Sequence, residues 1–518
     1  MNRDRYPQVR SFASIEELRL RLVELGIAED LCLGDGSPAP FPDDGRGFRE
    51  GLTGASSTDG PTATGPGSPR RPPPEAGPSG APELDDSLQV PGSGLRIPNR
   101  FAILPMEGWD GTSDGRPTDL VRRRWQHFGS SGAGLIWGGE AVAVRPEGRA
   151  NPNQLLIDER HADDLAELRQ IVCGASPLTS SPAGRPVIGI QLTHSGRFAR
   201  PDGVAAPRVA YRHATLDDRV GATEASVLTD AELDELVEAF ARAAEIAEHA
   251  GFDFVDVKAC HGYLSHELLS GVQRPGRYGG SFEGRTRFLS SVIGEVRSRT
   301  HLAVGVRISA YDFAPFRADD RGIGAPEPQR SFAFGATSDA VGVDLTETHR
   351  LCELLVSLGV SMVCVSAGSP YYNPHIQRPA YFPPSDGYLP PEDPLVGVAR
   401  MVRAATELHR AHPELVVVAS GLSYLQDWLG EIARRLLSSS AVDAVGIGRM
   451  VLSYPQFPSD VLAGRPLDHR RICRTFSDCT TAPRNGLVSG CYPLDPFYKT
   501  RPERLELGKA KQAARHRA

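Results

Sequence analysis

Eight short apolar runs, most of them rich in β-branched residues, constrain this chain more than any other feature. They are FAILP (101–105), GLIWGG (134–139), VIGIQLT (187–193), FVDVKA (254–259), LAVGVRIS (302–309), SMVCVSA (361–367), LVVVAS (415–420) and VDAVGIG (442–448). Between them lie amphipathic stretches such as DERHADDLAELRQIV, DAELDELVEAFARAAEIAEHAG and EDPLVGVARMVRAATELHRA. A short apolar run bounded by turn residues reads as a buried strand, and apolar residues three and four apart read as helix. Repeated strand–helix units want a parallel sheet covered by helices. Eight units over roughly 370 residues fit a closed (β/α)8 TIM barrel of the α/β class better than an open doubly wound sheet, which uses fewer strands and a Gly-rich turn after the first. No G-x-G-x-x-G follows FAILP. The long connections 310–343 and 368–391 both come after strands, on the face where barrel enzymes assemble their sites.

The rest of the chain is organised around this barrel, which we place at 93–470. Residues 14–31 (SIEELRLRLVELGIAEDL) carry leucines at helical spacing behind Ser14, which can cap the first turn. An N-terminal helical segment, 1–33, is therefore expected to pack on the main domain. From Gly34 to Pro82, 22 of 49 residues are Gly or Pro. So few large apolar side chains cannot offset the entropy of ordering, and 34–92 reads as a disordered insertion. The remainder, 471–518, is a Cys-containing extension ending in the basic, helix-like LGKAKQAARHRA.

Charge and apolar content exclude several functions. A formal net charge of −7, with no long Lys/Arg run, gives no field to attract a polyanion, so nucleic acid is not an expected partner. MNRDRYPQVRSF lacks the apolar core of a secretory signal, and no run approaches the roughly 20 apolar residues that span a bilayer. A soluble, cytoplasmic protein with no membrane partner is expected. The eight cysteines are too sparse for a disulfide scaffold and are expected to be reduced.

Polar residues and glycines gather where the strands end. The third run ends in Gln191, His194 and Arg197, the fourth in Lys258, His261 and Tyr263, and the fifth in Arg307. The seventh and eighth end in Ser420-Gly421 and Gly448-Arg449. Together they would make one mouth with cations on one side and small residues plus an arginine on the other, a pocket for an anionic ligand. Glycine backbone N–H groups can approach a phosphate, and Arg449 can add a bidentate contact. Lys258, His261 and Arg307 would set positive charge near something that becomes negative, and the Tyr263 phenol can give a proton to a developing carbanion. A reduced flavin suits both halves.

The residues also carry a resemblance. NRFAILPMEGWDGTSDGRPTD, IQLTHSGR, GFDFVDVKACHGYLSHELLSGVQRPGRYGGSFEGRTRF, VGVRIS and VGIGRM make 99–466 resemble the Old Yellow Enzyme family of FMN-dependent NAD(P)H:flavin oxidoreductase barrels. The branch with trimethylamine dehydrogenase and 2,4-dienoyl-CoA reductase is the most similar, without the nucleotide-binding domains that its cluster-bearing members append. The resemblance implies that Pro105 and Met106 line the flavin, Gln191 binds its pyrimidine, and Arg307 lies by the N1/O2 edge. It also implies that Gly421, Gly448 and Arg449 hold the phosphate, His261 hydrogen-bonds the acceptor's carbonyl or nitro group, and Tyr263 donates the proton. Lys258 stands where the family has the first member of a His/His or His/Asn pair, and Glu107 where relatives carry a small residue or cysteine.

The extension carries Cys473, Cys479 and Cys491, and the gap of eleven residues between the last two matches the spacing of iron–sulfur members, but Thr475, Phe476 and Ser477 occupy the place where a further thiolate is expected. Three thiolates leave one iron without a ligand, so a 4Fe-4S cluster is not expected and no metal site is assigned. The overall expectation is an FMN-dependent oxidoreductase that takes hydride from NADH or NADPH and passes it to an activated alkene or related small-molecule acceptor. Two other readings remain open at this point: a Schiff-base barrel enzyme using Lys258, and a non-catalytic flavin-binding module tethered by the Gly/Pro-rich insertion.

Overall fold

A computed structural model describes residues 5–34, 81–181 and 184–517. Its centre is a ring of eight parallel strands: β1 (Phe101–Ile103), β2 (Leu135–Ile136), β3 (Val187–Thr193), β4 (Phe254–Ala259), β5 (Ala303–Ser309), β6 (Met362–Ser366), β7 (Val416–Ala419) and β8 (Ala444–Ile447). Each pairs with the next, and β8 returns to pair with β1, so no edge is left open. The expected (β/α)8 barrel is present, with every strand inside its apolar run. A short extra strand, Ala141–Ala143, lies beside the upper end of β3, with Ala141 opposite Gln191.

Helices Asp119–Gly129, Ala162–Ala175, Asp230–His249, Phe282–Arg299, Thr346–Ser357, Pro394–Ala411 and Leu429–Ser438 follow β1 to β7 in turn. Local sequence starts several of them. Thr229 and Glu232 form a reciprocal capping box before Asp230–His249, and Asp393 caps a helix that begins with Pro394, whose missing N–H costs nothing at that position. The apolar faces of the helices and the outward residues of the strands form one continuous core.

Side chains alternate along each strand, and the inward set builds the barrel interior in layers. At the floor sit Ala102, Leu135, Val187, Phe254, Met362, Val416 and Ala444. Trp137 and Phe254 meet edge to face at 5.6 Å. Gly189 and Gly305 make room for them: a Cβ at Gly189 would come within 2.3 Å of the Phe254 ring. Higher up, the inward residues turn polar, with Gln191 opposite Asp256 and Lys258 opposite Arg307 in register.

Most of the segment expected to be disordered, 34–92, lies outside the described residues. Its last part, 81–92, corrects that expectation. Leu88–Gln89 pairs antiparallel with Arg96–Ile97, and Leu88, Val90 and Ile97 are buried against the barrel floor, so these apolar residues gain enough burial to order their backbone. The barrel domain therefore begins about a dozen residues before 93. The N-terminal helix is Ile15–Glu24, capped by Ser14. It packs through Leu18 and Leu22 and ties to the barrel by Arg21–Asp393 at 2.8 Å, and Asp30 just after it pairs with Arg403 at 2.5 Å. No helix among the described residues is long and apolar enough to cross a membrane.

Beyond β8, the chain folds back over the mouth through helix Asp478–Arg484 and then forms Pro496–Lys499 and Glu503–Arg517 around Ala482, Tyr492, Tyr498 and Leu507.

Candidate active site at the barrel mouth

One cavity of about 210 Å³ opens at the carboxyl ends of the strands. Its lining includes Pro105, Met106, Gln191, Lys258, His261, Tyr263, Arg307, Gly421, Gly448 and Arg449, whereas His194 and Arg197, also expected at this mouth, are buried outside it, Arg197 paired with Asp217 and Glu267. The alternation of β4 explains part of this convergence, because Asp256 and Lys258 share one face of the strand and point into the barrel two residues apart.

Asp256 organises the layer beneath the cavity. One of its carboxylate oxygens accepts from the Gln191 amide at 2.6 Å and from the Trp137 indole at 2.7 Å. The other accepts from the Arg307 backbone N–H at 2.7 Å. With its amide nitrogen committed, Gln191 offers the cavity a carbonyl acceptor. Burial pushes the Asp256 carboxyl up to about 6, against the pull of these three donors.

Lys258, Glu107 and Tyr263 are packed together. The Lys258 Nζ lies 3.9 Å from a Glu107 oxygen and 3.9 Å from the centre of the Tyr263 ring. Burial lowers the lysine and raises the glutamate, and each partner's charge opposes the other's shift. Glu107 is thus held by Lys258. The Tyr263 hydroxyl meets that of Tyr371 at 3.0 Å. Burial, then the neighbouring Glu107, raises the phenol well above its ordinary range, so it keeps its proton.

His261 has φ of +67°, a left-handed conformation rarely used by residues with a side chain. Two hydroxyls hold it there: Ser309 Oγ accepts from its backbone N–H at 3.1 Å and Ser369 Oγ donates to its carbonyl at 2.9 Å. Its Nε2 lies 3.0 Å from Ser366 Oγ and 3.2 Å from the Gln377 amide nitrogen. An amide N–H donating to Nε2 places the ring proton on Nδ1. Burial, then Arg307 and Lys258, holds the imidazole well below its usual range, so it is neutral.

The other part of the cavity is lined by Gly421, Gly448 and Arg449. Gly421 has φ of +82°, where a side chain would be strained, and a Cβ there would lie 2.8 Å from Met401 Sδ. A Cβ at Gly448 would reach toward Met106 Sδ at 3.0 Å. The cavity wall carries buried donors without partners: Arg307 Nε, Arg449 Nη1, and Arg378 Nε and Nη2. Such groups are costly to leave unpaired and fit an anionic ligand.

Sequence reasoning missed Trp109, Tyr371, Gln377, Arg378, Thr480 and Arg484, which also line the cavity. Asp256 had a readable signal, a polar residue two before Lys258 in a buried strand. The others lie on loops, at the end of the four-residue helix Pro374–Gln377 or in the extension, where no periodicity marks direction. Of the extension cysteines, Cys473 is buried in the main core, whereas Cys479 lines the cavity. All eight cysteines are free, and no group of three His, Cys, Asp or Glu among the described residues is arranged to hold a metal.

Residues 92–322 match the NADH:flavin oxidoreductase / NADH oxidase family. The chain is 34% identical over 230 residues to an NADPH dehydrogenase of Geobacillus sp., covering 43% of this chain and 62% of that enzyme, just under two thirds of its length. It is 33% identical over 260 residues to an NADPH dehydrogenase of Bacillus velezensis, covering 49% of this chain and 69% of the enzyme. In fold it is similar to the old yellow enzyme homologue from Zymomonas mobilis, with a TM-score of 0.51, 21% identity, and coverage of 74% of this chain and 94% of the other. The chain belongs to the NADH:flavin oxidoreductase / NADH oxidase family.

Proposed function

We propose that the protein is an FMN-dependent oxidoreductase that draws hydride from NADH or NADPH and delivers it to an activated alkene or a related electrophilic small molecule. The observation that carries this reading is the set of buried, unpartnered arginine N–H groups around one cavity, which match a cofactor anionic at both its phosphate and its reduced ring. Pro105 and Met106 would line the ring, and the Gln191 carbonyl would accept from its pyrimidine N–H. Arg307 would face the N1/O2 edge, while Gly421, Gly448 and Arg449 would take the phosphate. When bound, the flavin supplies hydride transfer in two half-reactions, in from the nucleotide and out to the acceptor.

The chain's own side chains do the rest. Neutral His261 presents the Nδ1–H as a donor that polarises the acceptor's oxygen without adding a net charge. Tyr263 holds the proton that the acceptor's carbon takes up, and Tyr371, hydroxyl to hydroxyl with it, is its route of reprotonation. Lys258 acts through position: it neutralises Glu107 and lies against the Tyr263 ring, which fixes the phenol's direction.

The visible spectrum of the purified protein, recorded before and after anaerobic addition of NADH or NADPH, tests the reading. Flavin bands that bleach with a nucleotide are expected, and the effective nucleotide is the reductant. A colourless protein that FMN does not reconstitute would overturn it.

A further inference from the structure

Arg449 is not alone beside the phosphate glycines. The short helix Pro374–Gln377 follows β6 and ends at Arg378, so adjacent residues serve two parts of the cavity. Gln377 reaches His261 at 3.2 Å, and Arg378 lines the cavity together with Gly421, Gly448 and Arg449. Arg449 Nη2 donates at 2.8 Å to the carbonyl of Pro379, the residue after Arg378, which ties the Arg449 side chain to the backbone beside Arg378. Burial, and then the like charges of Arg449 and Arg484, lower Arg378 from the ordinary arginine range. Asp386, a carboxylate near enough to help, is already paired with Arg484 at 2.8 Å. Arg378 Nη1 donates to Thr480 Oγ1, yet its Nε and Nη2 stay buried without partners, and Arg449 Nη1 does the same.

Thr480 belongs to the extension, and the extension is fastened to the Arg378 loop along its length. Ser477 Oγ donates to the Phe382 carbonyl at 2.6 Å, the Tyr381 N–H to Thr475 Oγ1 at 3.3 Å, and the Ser385 N–H to Thr481 Oγ1 at 3.2 Å. Phe382 stacks on Phe476 at 5.3 Å, and Arg484 donates to the Pro370 carbonyl at 2.8 Å. The residues standing where a further cysteine was looked for in the sequence are thus the ones that hold this loop.

We propose that Arg378 is a second phosphate-binding arginine, held by Thr480, so that the extension is a clasp completing a two-arginine grip on the flavin phosphate. The proposal rests on the flavin reading above. Two guanidiniums that line one cavity and carry three buried, unpaired nitrogens need an anion to offset desolvation and mutual repulsion, and a phosphate dianion accepts from both. The clasp also gives the family barrel a cofactor contact outside its strand ends.

The test is the affinity of full-length, flavin-stripped protein for FMN and for riboflavin, which lacks the phosphate, read by quenching of flavin fluorescence. Wild type is expected to prefer FMN strongly. Arg378→Gln should weaken FMN by about tenfold to a hundredfold and leave riboflavin unchanged, as expected for loss of charged hydrogen bonds. Thr480→Val should weaken FMN by a few fold with the same selectivity, and inorganic phosphate should raise the melting temperature of wild type more than that of Arg378→Gln. Unchanged riboflavin binding doubles as the control for folding. Wild-type protein that binds neither flavin sinks the flavin reading and this inference together. A variant that keeps the wild-type preference for FMN over riboflavin sinks the two-arginine grip alone.

Discussion

The floor and the mouth of the barrel are built by the same strands and follow opposite rules. On β4 the inward residues run from Phe254 through Asp256 to Lys258. At the floor, Phe254 is fully buried against Trp137, and the indole N–H there is already taken by Asp256. At the mouth, Arg307 Nε, Arg449 Nη1, two nitrogens of Arg378, Glu107 Oε1 and Gln377 Oε1 are buried and unpaired. The floor is complete as folded. The mouth leaves free energy to be recovered by whatever binds, and that difference locates function within a fold whose strands are otherwise alike.

Changes at the floor should therefore register in stability, and changes at the mouth in binding or turnover. The largest effect is expected for Phe254→Ala. Gly189 and Gly305 are shaped around that ring and cannot refill its space, so unfolding free energy should fall by about 3–5 kcal/mol. Denaturant titration reads it, and a loss under about 1 kcal/mol would mean that the floor collapses freely. Next comes Tyr263→Phe at the mouth. Its melting temperature should stay close to that of wild type, while turnover with an activated alkene drops by about 100-fold. Nucleotide-driven bleaching of the flavin should proceed at the wild-type rate, because that half-reaction does not use the phenol's proton. Equal slowing of both half-reactions would remove Tyr263 as the proton donor.

The two regions also differed in how far the sequence revealed them. All eight strands were legible, because a buried parallel strand must be nearly continuous apolar sequence and helices must show their own period. The residues at strand ends, such as Gln191, Lys258 and Arg307, were legible for the same reason: a strand fixes where its last side chains go. Tyr371, Arg378 and Thr480 were not. They reach the cavity through loops whose paths depend on contacts distant in sequence, such as Ser477 with Phe382. The boundary at 34–92 failed in the other direction. Local composition there is dominated by Gly and Pro, but Leu88 and Val90 find a partner strand and the barrel floor.

Asp256 lies between the two layers and gives the finest test of the contrast. Its native value of about 6 exceeds the roughly 3.9 of an unfolded aspartate. Between those values the native state holds a proton that the unfolded chain has released, so this residue removes stability as pH rises from about 4 to about 6. His194 and His127 act oppositely. Burial holds both at about 3, whereas unfolded histidine titrates near 6.5, so they add stability as pH rises through the same window. Two histidines against one aspartate leave a positive slope from this set. Asp256→Asn removes the opposing member, and the slope of unfolding free energy should steepen by up to about 1.4 kcal/mol per pH unit. Urea titrations of both proteins at intervals between these pH values measure it. The difference of slopes cancels every group the two chains share, so parallel lines would mean that Asp256 titrates as an ordinary carboxylate and that its three donors fully compensate its burial.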